Sequence, residues 1–199
     1  MESRQPNLVD RFPSIAGRLA RASLKLFRWR SVFAALPAPK GIIILYPHTS
    51  NWDFVIGVLY KLGVGLPASW IGKHSLFRWP LESLLLRLGG IPIRRDARSG
   101  LVSGVLDQFA KHDWMWLAVT PEGTRKRTSH WKSGFYRIAL AGGLPVGLGF
   151  IDYPTRTVGI GTYLYMTGDL AQDFTRIRAF YADKHGRRPE HEGDIQLRE

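Results

Sequence analysis

The sequence predicts an α/β protein with a largely parallel sheet flanked by helices. Short apolar runs bounded by Gly and Pro, such as "GIIILY" and "WMWLAV", have the length and composition of buried strands. Segments with helical spacing of apolar residues stand between them. The chain has 199 residues, of which 45% are hydrophobic and 22% charged, ordinary values for one domain with a sizeable core.

The elements follow in order. Residues 1–13 read as a frayed lead-in. Residues 14–30 read as a basic amphipathic helix, with Arg18, Arg21, Lys25 and Arg28 along one stripe and Ile15, Leu19, Ala22 and Leu26 along another. Phe27 and Trp29 add bulk suited to a membrane interface. A membrane-surface helix and a helix packed on the core with a solvated basic face are both open here. The breaker "LPAPK" precedes the strand "GIIILY". The helix "NWDFVIGVLYKLG", the strand "ASWIGK" and the helix "WPLESLLLRLGG" come next, then the short strand "IPIRR". The helix "GLVSGVLDQFAKH" places Leu101, Val105 and Phe109 one turn apart. After the strand "WMWLAVT" come the helix "SGFYRIALAGG" and the strands "LPVGLGFID" and "TVGIGTYLYM". An amphipathic helix on Leu170, Phe174, Ile177 and Tyr181 follows, and the tail "RRPEHEGDIQLRE" reads as polar and loose.

Charge and composition narrow the function. The formal net charge is +12, which favours a polyanion: nucleic acid, an anionic lipid surface or a phosphorylated substrate. The absence of cysteine excludes a thiolate nucleophile, a disulfide framework and a cysteine-ligated metal. Arginines interrupt the N-terminal region where a secretory signal needs a continuous apolar stretch. The longest apolar window, "FVIGVLYKLGVGLPASWIG", contains Lys61, Pro67 and several glycines and reads as a helix plus a strand. Any membrane association is therefore expected to be peripheral.

Three strand ends carry chemistry. In "HTSNWD", Ser50 and Asp53 have the spacing of a capping box, so His48 and Asp53 can be the punctuation between a strand and a helix. The same placement puts a histidine at the carboxyl end of a buried strand, where α/β ligand sites form. A carboxylate facing one imidazole nitrogen makes the other a better general base. "VTPEGTRKR" and "GGIPIRRD" bring Glu122, Arg125, Arg94 and Arg95 to two further strand ends. Together these residues suit an anionic substrate with a hydroxyl to deprotonate. His185, Glu190, His191 and Asp194 lie in the polar tail and read as solvated rather than as metal ligands.

These motifs resemble the glycerolipid acyltransferase family, typified by 1-acylglycerol-3-phosphate O-acyltransferases. The H-x4-D block is similar to His48–Asp53, and K-x-x-L-x-x-x-P to Lys73–Pro80. G-x-I-x-I-x-R is similar to Gly89–Arg95, P-E-G-T-R to Pro121–Arg125, and a following K-x-G to Lys132 and Gly134. Pro92, Arg94, Thr120 and Leu148 depart from the usual pattern; the first two lie in the block that the resemblance assigns to the substrate phosphate. The resemblance implies a glycerol-phosphate acyltransferase-like fold and transfer of a fatty acyl group from acyl-CoA or acyl carrier protein to a lysophospholipid. The acceptor expected first is 1-acylglycerol-3-phosphate. It implies His48 as general base, Asp53 as its orienting partner, and Glu122, Gly123, Thr124, Arg125, Arg95, Arg94 and Lys73 as substrate-binding. Neither a metal nor a cofactor is implied. The expected organisation is a basic membrane-surface segment at 1–39, a catalytic core at 40–167 and a C-terminal helix with polar tail at 168–199. A cytoplasmic enzyme, peripheral on the inner face of the cell membrane, follows, with no nucleic-acid partner. Another lyso-lipid acceptor, and a basic lipid- or nucleic-acid-binding domain without turnover, remain the alternatives.

Overall fold

The computed structural model describes residues 15–93 and 101–197. Seven strands form one sheet: β1 (Arg30–Phe33), β2 (Lys40–Leu45), β3 (Ala68–Lys73), β4 (Gly90–Ile93), β5 (Met115–Val119), β6 (Val146–Asp152) and β7 (Thr157–Leu164). Their order across the sheet is β1-β7-β6-β2-β5-β3-β4. All neighbours are parallel except β6 and β7, which pair antiparallel with a register shift between Gly147 and Gly149. The helices are α1 (Ile15–Leu26), α2 (Trp52–Val64), α3 (Glu82–Arg87), α4 (Leu101–Lys111), α5 (Gly134–Gly142) and α6 (Leu170–Tyr181).

Strand β2 explains the two-sided core. Alternation along a strand sends Ile42 and Ile44 to one face and Ile43 to the other. Ile42 and Ile44 join Phe109 of α4, Phe135 of α5, and Phe174 and Ile177 of α6. Ile43 joins Leu24 of α1, Ile56 and Tyr60 of α2, and Trp116. A continuous apolar run is what a strand covered on both faces requires. Gly41 serves a close approach: a Cβ there would lie 2.4 Å from the Trp116 ring, whose Nε1 donates to the Ala38 carbonyl at 3.2 Å.

Two expectations need correction, the end of the first helix and the loose tail. The first helix stops at Leu26, because Arg28 turns the chain at φ 60° and residues 30–33 become edge strand β1, paired with β7. Its packed face is Gly17, Ala20 and Leu24, and the stripe Ile15, Leu19, Ala22 and Leu26 is exposed, which decides between the two orientations left open. Small side chains let α1 approach α2 closely, where Arg21 donates to the Gly63 carbonyl at 2.8 Å, so the larger apolar residues stay outside. The tail is not loose. Trp131 N–H donates to the Gln196 carbonyl at 2.7 Å, and Asp194 N–H to the Thr128 carbonyl at 2.9 Å. Tyr153 N–H donates to the His185 carbonyl at 3.0 Å. The tail's backbone is held by these long-range bonds while most of its polar side chains stay exposed, a pattern that periodicity does not report.

No helix among the described residues is long and apolar enough to cross a membrane.

Candidate active site

The sheet order brings the site together. Strands β6, β2 and β5 are adjacent and parallel, so the residues just past their carboxyl ends share one edge: Tyr153, His48 and Glu122. His48 N–H donates to Glu122 Oε2 at 2.8 Å, tying the loop after β2 to the loop after β5.

Asp53 is fully buried in the first turn of α2. Its Oδ2 accepts from the N–H groups of Thr49 at 2.8 Å and Ser50 at 2.9 Å. Ser50 Oγ accepts from Trp52 N–H at 3.2 Å rather than from Asp53 N–H, so only the carboxylate half of the expected capping box is present, and α2 starts from Asn51. The same carboxylate also faces the histidine, with His48 Nδ1 3.2 Å from Asp53 Oδ2. The two atoms are in contact, but no hydrogen bond joins them. The helix-cap and pair readings of "HTSNWD" are therefore one arrangement. The His48 side chain is 14% exposed and Asp53 only 1%, which leaves the imidazole reachable and its partner screened from water.

Sequence reasoning missed Tyr153. Its hydroxyl donates to Asp53 Oδ1 at 2.7 Å. Burial first, and then the bond to Asp53, push the phenol well above the usual tyrosine range, so it acts as a fixed donor. Nothing local in "FIDYPT" marks this role; only the position just past a strand adjacent to β2 could have suggested it.

Glu122 is 3% exposed. Its Oε1 accepts from Gly193 N–H at 2.9 Å, and Tyr46 Oη donates to the Gly193 carbonyl at 2.9 Å. Glu122 thus braces the His48 loop against the C-terminal segment. Gly123 takes φ 62°, and a Cβ there would lie 2.6 Å from Lys132 Cε, so glycine suits both the turn and the contact. Thr124 Oγ1 accepts from Lys126 N–H at 3.2 Å and shapes the following turn. Arg125 and Lys73 are exposed at the rim. Arg94 and Arg95 lie outside the described residues.

A cavity of about 750 Å³ opens beside His48 and runs beneath α2. Ile43, Leu45, Val58, Leu66 and Ile160 are among the apolar groups that line it, and His48, Thr124, Arg125 and Lys73 supply polar lining. Its size lies within the range of roughly 300–1,000 Å³ usual for ligand cavities. Gly57 of α2 and Gly149 of β6 line it too, and the space above Gly57 is open. Lys61 reaches the same cavity and donates from Nζ to the Leu88 carbonyl at 2.6 Å; burial holds its ammonium below the usual lysine range. Among the described residues no group of three or more His, Asp and Glu could hold a metal ion. His185 instead approaches Glu192 at 3.5 Å, and Asp194 pairs with Arg127 at 3.1 Å.

Burial pushes the Glu122 carboxyl up to about 7, against the opposing pull of the Gly193 and His48 N–H groups. Between about 4.5 and about 7 the folded protein keeps a proton that the unfolded chain has released. The stability this group contributes is full below that window and is lost as pH rises through it. Denaturant unfolding at about pH 5 and about pH 8 should show a loss of roughly 2–3 kcal/mol from this group across the window. Glu122→Gln, which stays neutral, should lack that slope although it is weaker overall. The same slope in both proteins would contradict the assignment.

Comparison with known proteins places the chain in a family. A family model described as Acyltransferase matches residues 33–155, which span β1 to the turn after β6. A comparison with curated proteins finds no match. Among solved structures, the chain is similar to the 1-acyl-sn-glycerophosphate (LPA) acyltransferase PlsC from Thermotoga maritima. The TM-score is 0.55 and the identity 15%, over 84% of this chain and 77% of that one. That likeness concerns the fold. With the family model covering more than half of its residues, the chain belongs to the acyltransferase family.

Proposed function

We propose that the protein transfers a fatty acyl group from a thioester, acyl-CoA or acyl carrier protein, to the hydroxyl of a lysophospholipid, with 1-acylglycerol-3-phosphate as the first acceptor to test. One observation carries the reading: His48, backed by the buried Asp53, stands at the mouth of an apolar cavity. An imidazole so placed suits a reaction that deprotonates a hydroxyl, and the cavity suits a hydrocarbon chain. PlsC, the structural neighbour, is named for the same reaction class.

The chemistry follows from the pair. Asp53 faces Nδ1, so Nε2 is the ring nitrogen for substrate. Nε2 takes the proton of the acceptor hydroxyl as its oxygen bonds to the thioester carbonyl carbon. The C–S bond then breaks, and the imidazolium returns the proton to the leaving thiolate. Asp53 offsets the imidazolium charge while Tyr153 and two backbone N–H groups hold the carboxylate in place. The substrate's hydroxyl is the nucleophile, so no acyl-enzyme forms. Arg125, Thr124, Gly123 and Lys73 line the cavity that would take the substrate, Glu122 supports the His48 loop from behind, and the family resemblance assigns Arg95 and Arg94 to its phosphate.

The reading includes a membrane surface that presents the acceptor. Ile15, Leu19, Leu26 and Phe27 are exposed on and just after α1, beside the exposed Arg18, Lys25 and Arg28. Each basic side chain near an anionic surface contributes about 1 kcal/mol. Trp79 is 90% exposed, with Leu81, Leu84 and Leu86 exposed close by in sequence.

Purified protein given lysophosphatidic acid and a long-chain acyl-CoA or acyl carrier protein should form phosphatidic acid. His48→Ala should lower the rate at least about a hundredfold. Product from another lyso-lipid in place of lysophosphatidic acid would move the acceptor and keep the mechanism. No product from any acceptor, or full activity in His48→Ala, would contradict the reading. Sedimentation with anionic vesicles should fall with added salt and with Leu26→Asn plus Phe27→Ser. Binding that responds to neither would rule out α1 as the membrane contact. Substitution tests this better than truncation, because Leu24 and Arg21 support α2.

A further inference from the structure

A second cavity, of about 550 Å³, adjoins the apolar one: Asn51, Thr124 and Arg125 line both. Its cations come from two distant regions of the chain. Arg125 and Lys126 follow β5, whereas Arg187 and Arg188 belong to the C-terminal segment, which also brings His191 to the lining. Among the described residues no carboxylate lies within salt-bridge distance of Arg125, Lys126, Arg187 or Arg188. The neighbouring Arg127, in contrast, pairs with Asp194. His191 Nδ1 is buried without a hydrogen-bond partner among the described residues.

The backbone holds the arginines in position. Arg188 N–H donates to Thr49 Oγ1 at 3.1 Å, and Gly186 N–H to Glu192 Oε1 at 2.7 Å. A Cβ at Gly186 would lie 2.6 Å from Thr49 Oγ1, so only glycine lets the segment press against the His48 loop. The Arg187 guanidinium stands 5.7 Å from the centre of the Trp52 ring. Four cations facing one concave space repel one another unless an anion joins them. Guanidinium pairs favour phosphate oxygens, which they grip two at a time.

We propose that Arg187 and Arg188 complete, with Arg125 and Lys126, a phosphate subsite for one of the two substrates. This rests on the proposed acyl transfer for the identity of those substrates. The phosphate is that of the acceptor headgroup or that of the thioester donor, and its place beside the apolar cavity lets one ligand occupy both. The C-terminal segment thereby joins the substrate site.

Titration calorimetry with glycerol 3-phosphate and with coenzyme A tests this apart from turnover. Arg187→Gln with Arg188→Gln should weaken one of them about tenfold or more, at an unchanged melting temperature. A loss confined to glycerol 3-phosphate assigns the acceptor's phosphate, and a loss confined to coenzyme A the donor's. In the acyl-transfer assay the KM of that substrate should rise while kcat stays within about twofold. Arg187→Lys with Arg188→Lys, which keeps the charge without the fork, should fall between, and replaces the glutamine pair if that pair does not fold. Equal binding to wild type and variant, or no binding of either probe to wild type, overturns the subsite. Binding by a wild type that transfers no acyl group overturns the reaction and leaves the subsite standing.

Discussion

The carboxylate of Asp53 is the constraint on which the site depends. A charge fully out of water is costly unless its oxygens are occupied. Here two backbone N–H groups and the Tyr153 hydroxyl occupy them, and the His48 ring lies against one oxygen. Those partners come from the loop after β2 and from the residue just past β6. The carboxylate therefore fixes the start of α2, the course of the His48 loop and the contact with β6 together. Removing it would leave three donors unsatisfied as well as a histidine without its partner.

Glu122 has a similar role at the end of the neighbouring strand β5. Its two oxygens accept from His48 and Gly193, so the histidine's backbone and the C-terminal segment are held by one group. The two acids divide the work: Asp53 faces the ring of His48, and Glu122 holds its main chain. Each accepts two backbone N–H groups, Asp53 those of Thr49 and Ser50 and Glu122 those of His48 and Gly193. The segment beyond α6 is the outer layer of this assembly. Through Gly193 it touches Glu122, and through Arg188 it touches the loop that carries His48.

Much of this was legible in the sequence. "GIIILY" announces a two-sided buried strand, and the H-x4-D spacing places a histidine and an acid about one helical turn apart. PEGTR marks the second strand end. What stayed hidden depends on long-range contacts. Tyr153 acquires its role because β6 lies beside β2, and strand order is not written in local periodicity. The tail looked loose because its residues are polar, yet its backbone is bonded to the segment around Thr128 and Trp131. The spacing along α1 left open whether its apolar stripe met a membrane surface or the core. Gly17 and Ala20 took the interface because α2 comes too close for anything larger there. Strand β1 was concealed by its four residues, too few to show a period.

The mechanism turns on Asp53 fixing which nitrogen of His48 is free. Nitrogen-15 NMR of the His48 ring at neutral pH measures that directly, with Asp53→Asn for comparison. The expected spectrum is that of a neutral ring protonated at Nδ1, with Nε2 bare, and the variant should lose that preference. A ring protonated at Nε2 in the wild type, or the same tautomer in both proteins, would contradict the mechanism.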